Sequence, residues 1–106
     1  FTTGDFRNRP MAQKLDSEFG KILRINITTK KADVVSLGHR NPQGLFFDSK
    51  NNILLEAEHG PEGGDEINLI EFNQQETPNY GWAISSYGEH DDGKNDPYNK
   101  KKYVGY

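Results

Sequence analysis

Cysteine is absent from the 106 residues. That excludes disulfide frameworks, thiolate metal sites and cysteine nucleophiles, and it leaves the redox compartment open. No apolar run approaches the roughly 18 to 20 residues of a membrane span. The opening Phe1-Thr2-Thr3-Gly4-Asp5 lacks the basic and apolar regions of a secretory signal, and with no initial methionine the chain reads as a piece of a longer one. Basic charge is also scarce. Lys and Arg number 13 against 16 Asp and Glu, for a net charge of −3, and no basic run exceeds Lys30-Lys31 or Lys100-Lys101-Lys102. Such a surface offers phosphate no attractive field, so nucleic acid is not an expected partner. Ile, Val, Leu and Phe make up only about 22% of the chain, just above the level at which a core can no longer be buried. One domain at most is expected, and it is marginal as an independent fold.

What is present is a series of short β-branched and aliphatic runs separated by turn residues. Residues 1–19 surround Pro10 with charged and polar side chains and are read as a connecting loop with no more than one helical turn. From Gly20 onward, strands are predicted at 21–26, 32–37, 43–48, 53–58 and 66–71. A four-residue hairpin loop, Ser49-Lys50-Asn51-Asn52, joins the third run to the fourth. Strands of about six residues at roughly 10 to 15 residue spacing, with no credible long helix, indicate an all-β meander. The spacing fits propeller blades, whose functional loops gather at one end of a central channel. The first two runs would be outer strands of one blade. The next three, with the segment around Tyr80–Trp82 as a fourth strand, would make another; a sandwich fragment is the alternative. Residues 89–106 turn polar and are expected to be loop.

Two stretches carry chemistry. Gly38-His39-Arg40-Asn41-Pro42-Gln43-Gly44 links two predicted strands and is rich in donors. Arg40 offers a planar fork suited to a carboxylate, and Asn41 can pair with a carbonyl or quinone oxygen. Pro42 restricts Asn41 to an extended conformation. The same composition also fits an ordinary polar turn with Arg40 in solvent. Glu58-His59-Gly60-Pro61-Glu62-Gly63-Gly64-Asp65-Glu66 gathers four acids, one imidazole and three glycines directly after a strand. Hard cations such as calcium take oxygen ligands, including carbonyls that glycine-rich turns aim inward. The stretch matches neither the EF-hand loop nor the His-Glu-x-x-His zinc pattern, and an acidic hairpin tip without a metal is the other reading. Weaker signals are the sequon Asn26-Ile27-Thr28, an acidic turn at 91–96, and a sugar-stacking platform from Tyr80, Trp82 and Tyr87.

Taken in order, His39-Arg-Asn-Pro-Gln-Gly-Leu, Glu58-His-Gly-Pro-Glu-Gly-Gly-Asp-Glu-Ile-Asn-Leu-Ile and Asn79-Tyr-Gly-Trp resemble the soluble quinoprotein glucose dehydrogenase and aldose sugar dehydrogenase family. Thr3-Gly4-Asp5, Ala12-Gln13 and Gly20-Lys21-Ile22-Leu23-Arg24 extend the likeness over residues 2–88, and the last eighteen residues carry no family motif. The resemblance implies about two blades of a six-bladed β-propeller. It further implies a protein that binds pyrroloquinoline quinone (PQQ) and calcium, oxidises aldose sugars to lactones, passes electrons to an acceptor, and resides in the periplasm or is secreted. Arg40 and Asn41 are then cofactor-binding, with Arg40 also stabilising charge on the reduced oxygen. His59 stands where some members place a cofactor-contacting glutamine. The carbonyls of Gly60 and Pro61 are implied calcium ligands, and Glu66 with the Tyr80 carbonyl implied ligands of a second, structural calcium. Asp5 is the implied carboxylate that orients a general-base histidine about twenty residues earlier, outside this chain. The 106 residues alone are expected to be inactive and to self-associate. The competing function is a non-enzymatic propeller that binds a ligand or protein, since fold alone decides no activity; a small free-standing calcium- or sugar-binding module is a third.

Overall fold

The computed structural model describes residues 1–71, 75–86 and 88. Among these, six strands form two three-stranded antiparallel sheets, and no α-helix occurs. The first sheet has the order β1 (Thr2–Thr3), β2 (Lys21–Ile25), β3 (Ala32–Leu37). The second has β4 (Pro42–Asp48), β5 (Ile53–Glu58), β6 (Glu66–Ile70). The five strands predicted between residues 21 and 71 are all present. The four-residue hairpin is present too, closed by Asp48 pairing with Ile53. Asp48 accepts the backbone N–H groups of Lys50 and Asn51 at 2.9 and 3.3 Å, so its carboxylate replaces the ladder through the turn.

Two local expectations are corrected. The segment 1–19 is more than loop, because Thr2 and Thr3 pair with Ile22 and Lys21 and residues Arg9–Gln13 form a 3-10 helix with Pro10 in its first turn. A two-residue strand is too short to show any hydrophobic period, which is why the sequence conceals it. The segment around Tyr80–Trp82 is not a fourth strand of the second sheet. It runs beside the end of β3 instead, with Leu37 N–H donating to Pro78 O at 3.0 Å and Tyr80 N–H to Leu37 O at 2.9 Å. Gly81 then takes φ +98°, which breaks the extended run. The expected loop at 89–106, the acidic turn at 91–96 and Tyr87 lie outside the described residues.

Period-two alternation explains the core. On β5, Leu54, Glu56 and Glu58 are buried while Leu55 and Ala57 face outward. Leu54 packs with Ile22 of β2 and Ile70 of β6, with Val35 and Tyr80 at the margin, so this cluster joins the two sheets. The opposite face of the second sheet is open. Phe46 pairs with Leu55, and Leu55 with Leu69, and all three are exposed. A second small cluster, Ala12, Trp82 and Ala83, ties the N-terminal segment to the segment after β6. Lys21 is fully buried between them and donates to the carbonyls of Met11, Ala12 and Phe19 at 2.9, 3.0 and 2.6 Å.

Candidate active site

Antiparallel pairing puts the two motif-bearing loops side by side. Pro42 at the start of β4 pairs with Glu58 at the end of β5, so residues 38–41 and 59–65 emerge at the same edge. The segment docked on β3 adds Tyr80 and Trp82. Arg40, Gly60, Pro61, Glu66 and Tyr80, five of the residues singled out from the sequence, line one small cleft together with Glu58 and Trp82.

Arg40 is partly buried, not a solvated turn residue. Its guanidinium carbon lies 5.5 Å from the centre of the Trp82 ring, within cation–π range, and its Nη1 donates to His59 O at 3.2 Å. The Gly60–Gly64 turn is closed tightly. A Cβ at Gly60 would lie 1.7 Å from Gly64 O, so only glycine fits there. Pro61 O accepts the Gly64 N–H at 2.7 Å and, like any carbonyl, has a second lone pair for a cation.

The other predicted residues sit around this cleft and do not line it. The Asn41 backbone O accepts the His59 N–H at 3.2 Å, and its side-chain oxygen lies against Gly4. The His59 ring is exposed and nearest to Asp65, at 3.9 Å. Asp5 is buried behind Arg40: its N–H donates to Arg40 O at 2.8 Å, and its two carboxylate oxygens accept the Arg7 N–H at 2.9 Å and Trp82 Nε1–H at 2.7 Å. Trp82 thus joins Asp5 to Arg40, a connection invisible in the sequence.

A buried polar cluster directly beneath the cleft escaped the sequence reading. His39, Glu56 and Glu58 bring their polar atoms within 4.8 Å of one another. His39 Nδ1 lies 3.1 Å from Glu58 Oε1 and Nε2 lies 2.8 Å from Ser36 Oγ. A carboxylate can only accept, so this pairing places a ring proton on Nδ1, and in the neutral imidazole Ser36 is then the donor to Nε2. The ring stacks on Tyr80 with centroids 4.9 Å apart. Asn68 Nδ2 donates toward Glu56, Glu58 and Glu66 at 3.0, 3.3 and 3.4 Å. Burial pushes the Glu56 carboxyl up to about 7; the Asn68 hydrogen bond opposes this, and the negative charges of Glu58 and Glu66 add to it. Burial likewise raises the Tyr80 hydroxyl, whose O–H donates to Leu69 O at 2.5 Å. One sequence signal could have exposed the cluster. Glu56 and Glu58 alternate in register with Leu54, so any reading that buries Leu54 must bury both acids and find them partners.

A family model described as Glucose / Sorbosone dehydrogenase matches residues 1–104, reaching past residue 88 into the segment where no motif is legible. The chain is 38% identical over 98 residues to the aldose sugar dehydrogenase YliI of Escherichia coli, covering 80% of this chain and 25% of that protein. It is 36% identical over 98 residues to quinoprotein glucose dehydrogenase B of Acinetobacter calcoaceticus, covering 77% of this chain and 20% of that protein. The chain therefore spans a quarter or less of these curated relatives. Among solved structures, a glucose dehydrogenase superposes with a TM-score of 0.76 at 34% identity, and the apo form of the soluble aldose sugar dehydrogenase of Escherichia coli with 0.73 at 33%. Each comparison covers 98% of this chain and 33% of the solved one, and a third of a six-bladed β-propeller is the two blades seen as two sheets. Matched along nearly its whole length in sequence and in fold, the chain belongs to the glucose/sorbosone dehydrogenase family, a family of sugar-oxidising oxidoreductases.

Proposed function

We propose that this chain forms two blades of a PQQ- and calcium-dependent aldose dehydrogenase of family length, which oxidises sugars to lactones and hands the electrons to a separate acceptor. The observation that carries the reading is the convergence of Arg40, Gly60, Pro61, Glu66 and Tyr80 on one cleft. The residues fit the groups. A carbonyl-rich turn followed by Glu66 is an all-oxygen donor set suited to a hard cation, and Arg40 held over Trp82 offers a planar fork to an anionic, flat ligand. Bound there, the quinone supplies the two-electron acceptor and calcium withdraws electron density from its oxygens.

The chain's own residues then have distinct tasks. Arg40 and Asn41 bind and orient the cofactor, and Arg40 stabilises negative charge in a site partly closed to water. His59 flanks the site through its backbone, its exposed ring being turned toward Asp65. The carbonyls of Gly60 and Pro61 hold one calcium, and Glu66 with the Tyr80 carbonyl holds a structural one. Asp5, fixed by Trp82 and the Arg7 amide, orients a general-base histidine supplied from outside the 106 residues. A periplasmic or secreted location follows from the family resemblance. The test is dye-coupled oxidation of a panel of aldoses by the family-length protein after reconstitution with PQQ and calcium. Activity that requires both additions is expected, and full activity without quinone would overturn the reading.

A further inference from the structure

The two side chains assigned to the cofactor sit on a loop with little ladder of its own. Between the end of β3 and the start of β4, the N–H groups of Arg40 and Asn41 both point at a single atom, Glu58 Oε2, at 2.6 and 3.2 Å. The other oxygen, Oε1, faces His39 Nδ1 at 3.1 Å and Asn68 Nδ2 at 3.3 Å. One carboxylate at the end of β5 thereby grips three consecutive residues of the loop, His39 by its ring and the next two by their amides. Glu58 is itself held: it is nearly buried, and its backbone is paired in the ladder with Pro42 on one side and Glu66 on the other. The contact is made from a rigid strand to a loop, the arrangement that fixes a binding side chain to within a fraction of an ångström.

We propose that Glu58 is a positioning residue for the quinone site, setting the direction of Arg40 and Asn41 without itself touching the cofactor. This inference rests on the quinone reading above. Its physical basis is that two neighbouring amide dipoles directed at one acceptor fix the peptide planes on both sides of the Arg40 Cα, and so the vector along which the guanidinium leaves the backbone. Ser36 completes the support, because its hydroxyl at 2.8 Å from His39 Nε2 keeps the ring proton on the nitrogen that faces Glu58. Glu58→Gln keeps the length of the side chain but exchanges one acceptor for a donor. Either the two loop amides or the His39 and Asn68 donors then meet an N–H group.

The experiment uses the family-length protein and PQQ. Equilibrium dialysis gives the quinone Kd, the absorption spectrum of bound quinone reports its surroundings, and steady-state kinetics at saturating quinone give the sugar KM. For Glu58→Gln the expected result is a quinone Kd raised about tenfold or more, a shifted bound spectrum, and a sugar KM within about twofold of wild type, since the sugar is not what Glu58 positions. Glu58→Asp, which keeps both oxygens on a shorter stem, is expected to fall between the two and serves where the glutamine variant does not fold. Arg40→Ala/Glu58→Gln should lose clearly less quinone affinity than the two single losses combined, because Glu58 acts in part through Arg40 and only its hold on Asn41 remains to be lost. Wild-type Kd and spectrum in both Glu58 variants, with only the melting temperature lowered, would show a purely structural role and overturn the proposal. Additive losses in the double variant would overturn it as well. Failure of the wild-type protein to bind PQQ is a separate result, which removes the quinone reading and the positioning role together.

Discussion

Trp82 Nε1 donates a 2.7 Å hydrogen bond to Asp5 Oδ2 across 77 positions of sequence. The same indole carries the Arg40 and Arg9 guanidinium groups at 5.5 and 5.3 Å from its ring. One buried aromatic residue therefore sets both a carboxylate and a cation at the candidate active site. Trp82→Phe keeps most of the ring and removes the donor, leaving Asp5 Oδ2 buried without it. The expected cost is about 1 to 3 kcal/mol of stability, read as a lower urea midpoint of the family-length protein. Under the proposed function, kcat should fall while the sugar KM holds. An unchanged midpoint would show that water replaces the indole without loss.

Lys21 is buried to the last atom with its ammonium shared among three carbonyls. Lys21→Met, similar in length, deprives all three of their donor and should cost roughly 2 kcal/mol or more. Burial also lowers the Lys21 pKa below its usual 10.5, with the charge of Asp16 opposing. Where the unfolded chain keeps this proton and the folded chain has lost it, stability rises with pH. The methionine variant should lose that rise as pH approaches 10.5, which denaturation series at stepped alkaline pH can check.

Glu56 gives a pH dependence of the opposite sign. Its folded pKa of about 7 stands above the usual 4.5, so the folded state binds the proton more tightly than the unfolded one. Its contribution is complete below 4.5 and is lost as pH rises through 7. The groups facing it are His39, Glu58 and Glu66, with Asn68 as its donor. Glu56→Gln should flatten the stability profile between pH 4.5 and 7. A profile identical to wild type would show that Glu56 does not titrate in this window.

The 106-residue chain alone should associate. Phe46, Leu55 and Leu69 form a cross-strand row on the open face of the second sheet, and Ile67 beside them is 78% exposed. A blade face of this kind is covered by its neighbour in a complete propeller, and uncovered apolar surface seeks a partner. Sedimentation should show a dimer or larger species, and Leu55→Glu should shift it toward monomer. The chain alone should also oxidise no sugar. A cooperatively folded monomer would refute the first expectation, and measurable sugar oxidation the second.

Arg40→Ala in the family-length protein should weaken quinone binding and slow turnover, because a planar multi-donor cation is removed from a partly closed site. Unchanged quinone affinity and unchanged kcat would return Arg40 to the status of a turn residue.

Local signals were legible wherever one strand or one turn determined them. The run 53–58 announced β5 because alternating side chains have only two faces to choose from, and Ser49 to Asn52 announced the hairpin because Asp48 can cap a turn within reach of its own side chain. The motif loops at 38–44 and 58–66 were legible as chemistry, because dense donors, acids and glycines in so few positions have few structural uses. Thr2–Thr3 left no such trace, and neither did the turn of the chain at Gly81, where a single positive φ redirected an extended run onto β3.

The sequence by itself determined the all-β character, the five main strands and the residue types offered to a quinone and a cation, since these follow from side-chain periodicity and local backbone freedom. Only the tertiary structure decided which of those residues meet. Antiparallel pairing of Pro42 with Glu58 laid two loops edge to edge, and contacts across many tens of residues delivered Trp82 to Asp5 and Arg40. The burial of Glu56 and Glu58 with His39 was likewise a tertiary decision. No local propensity favours acids on an inner face; they are held there because Asn68 and the loop residues His39, Arg40 and Asn41 converge on them from two other parts of the chain.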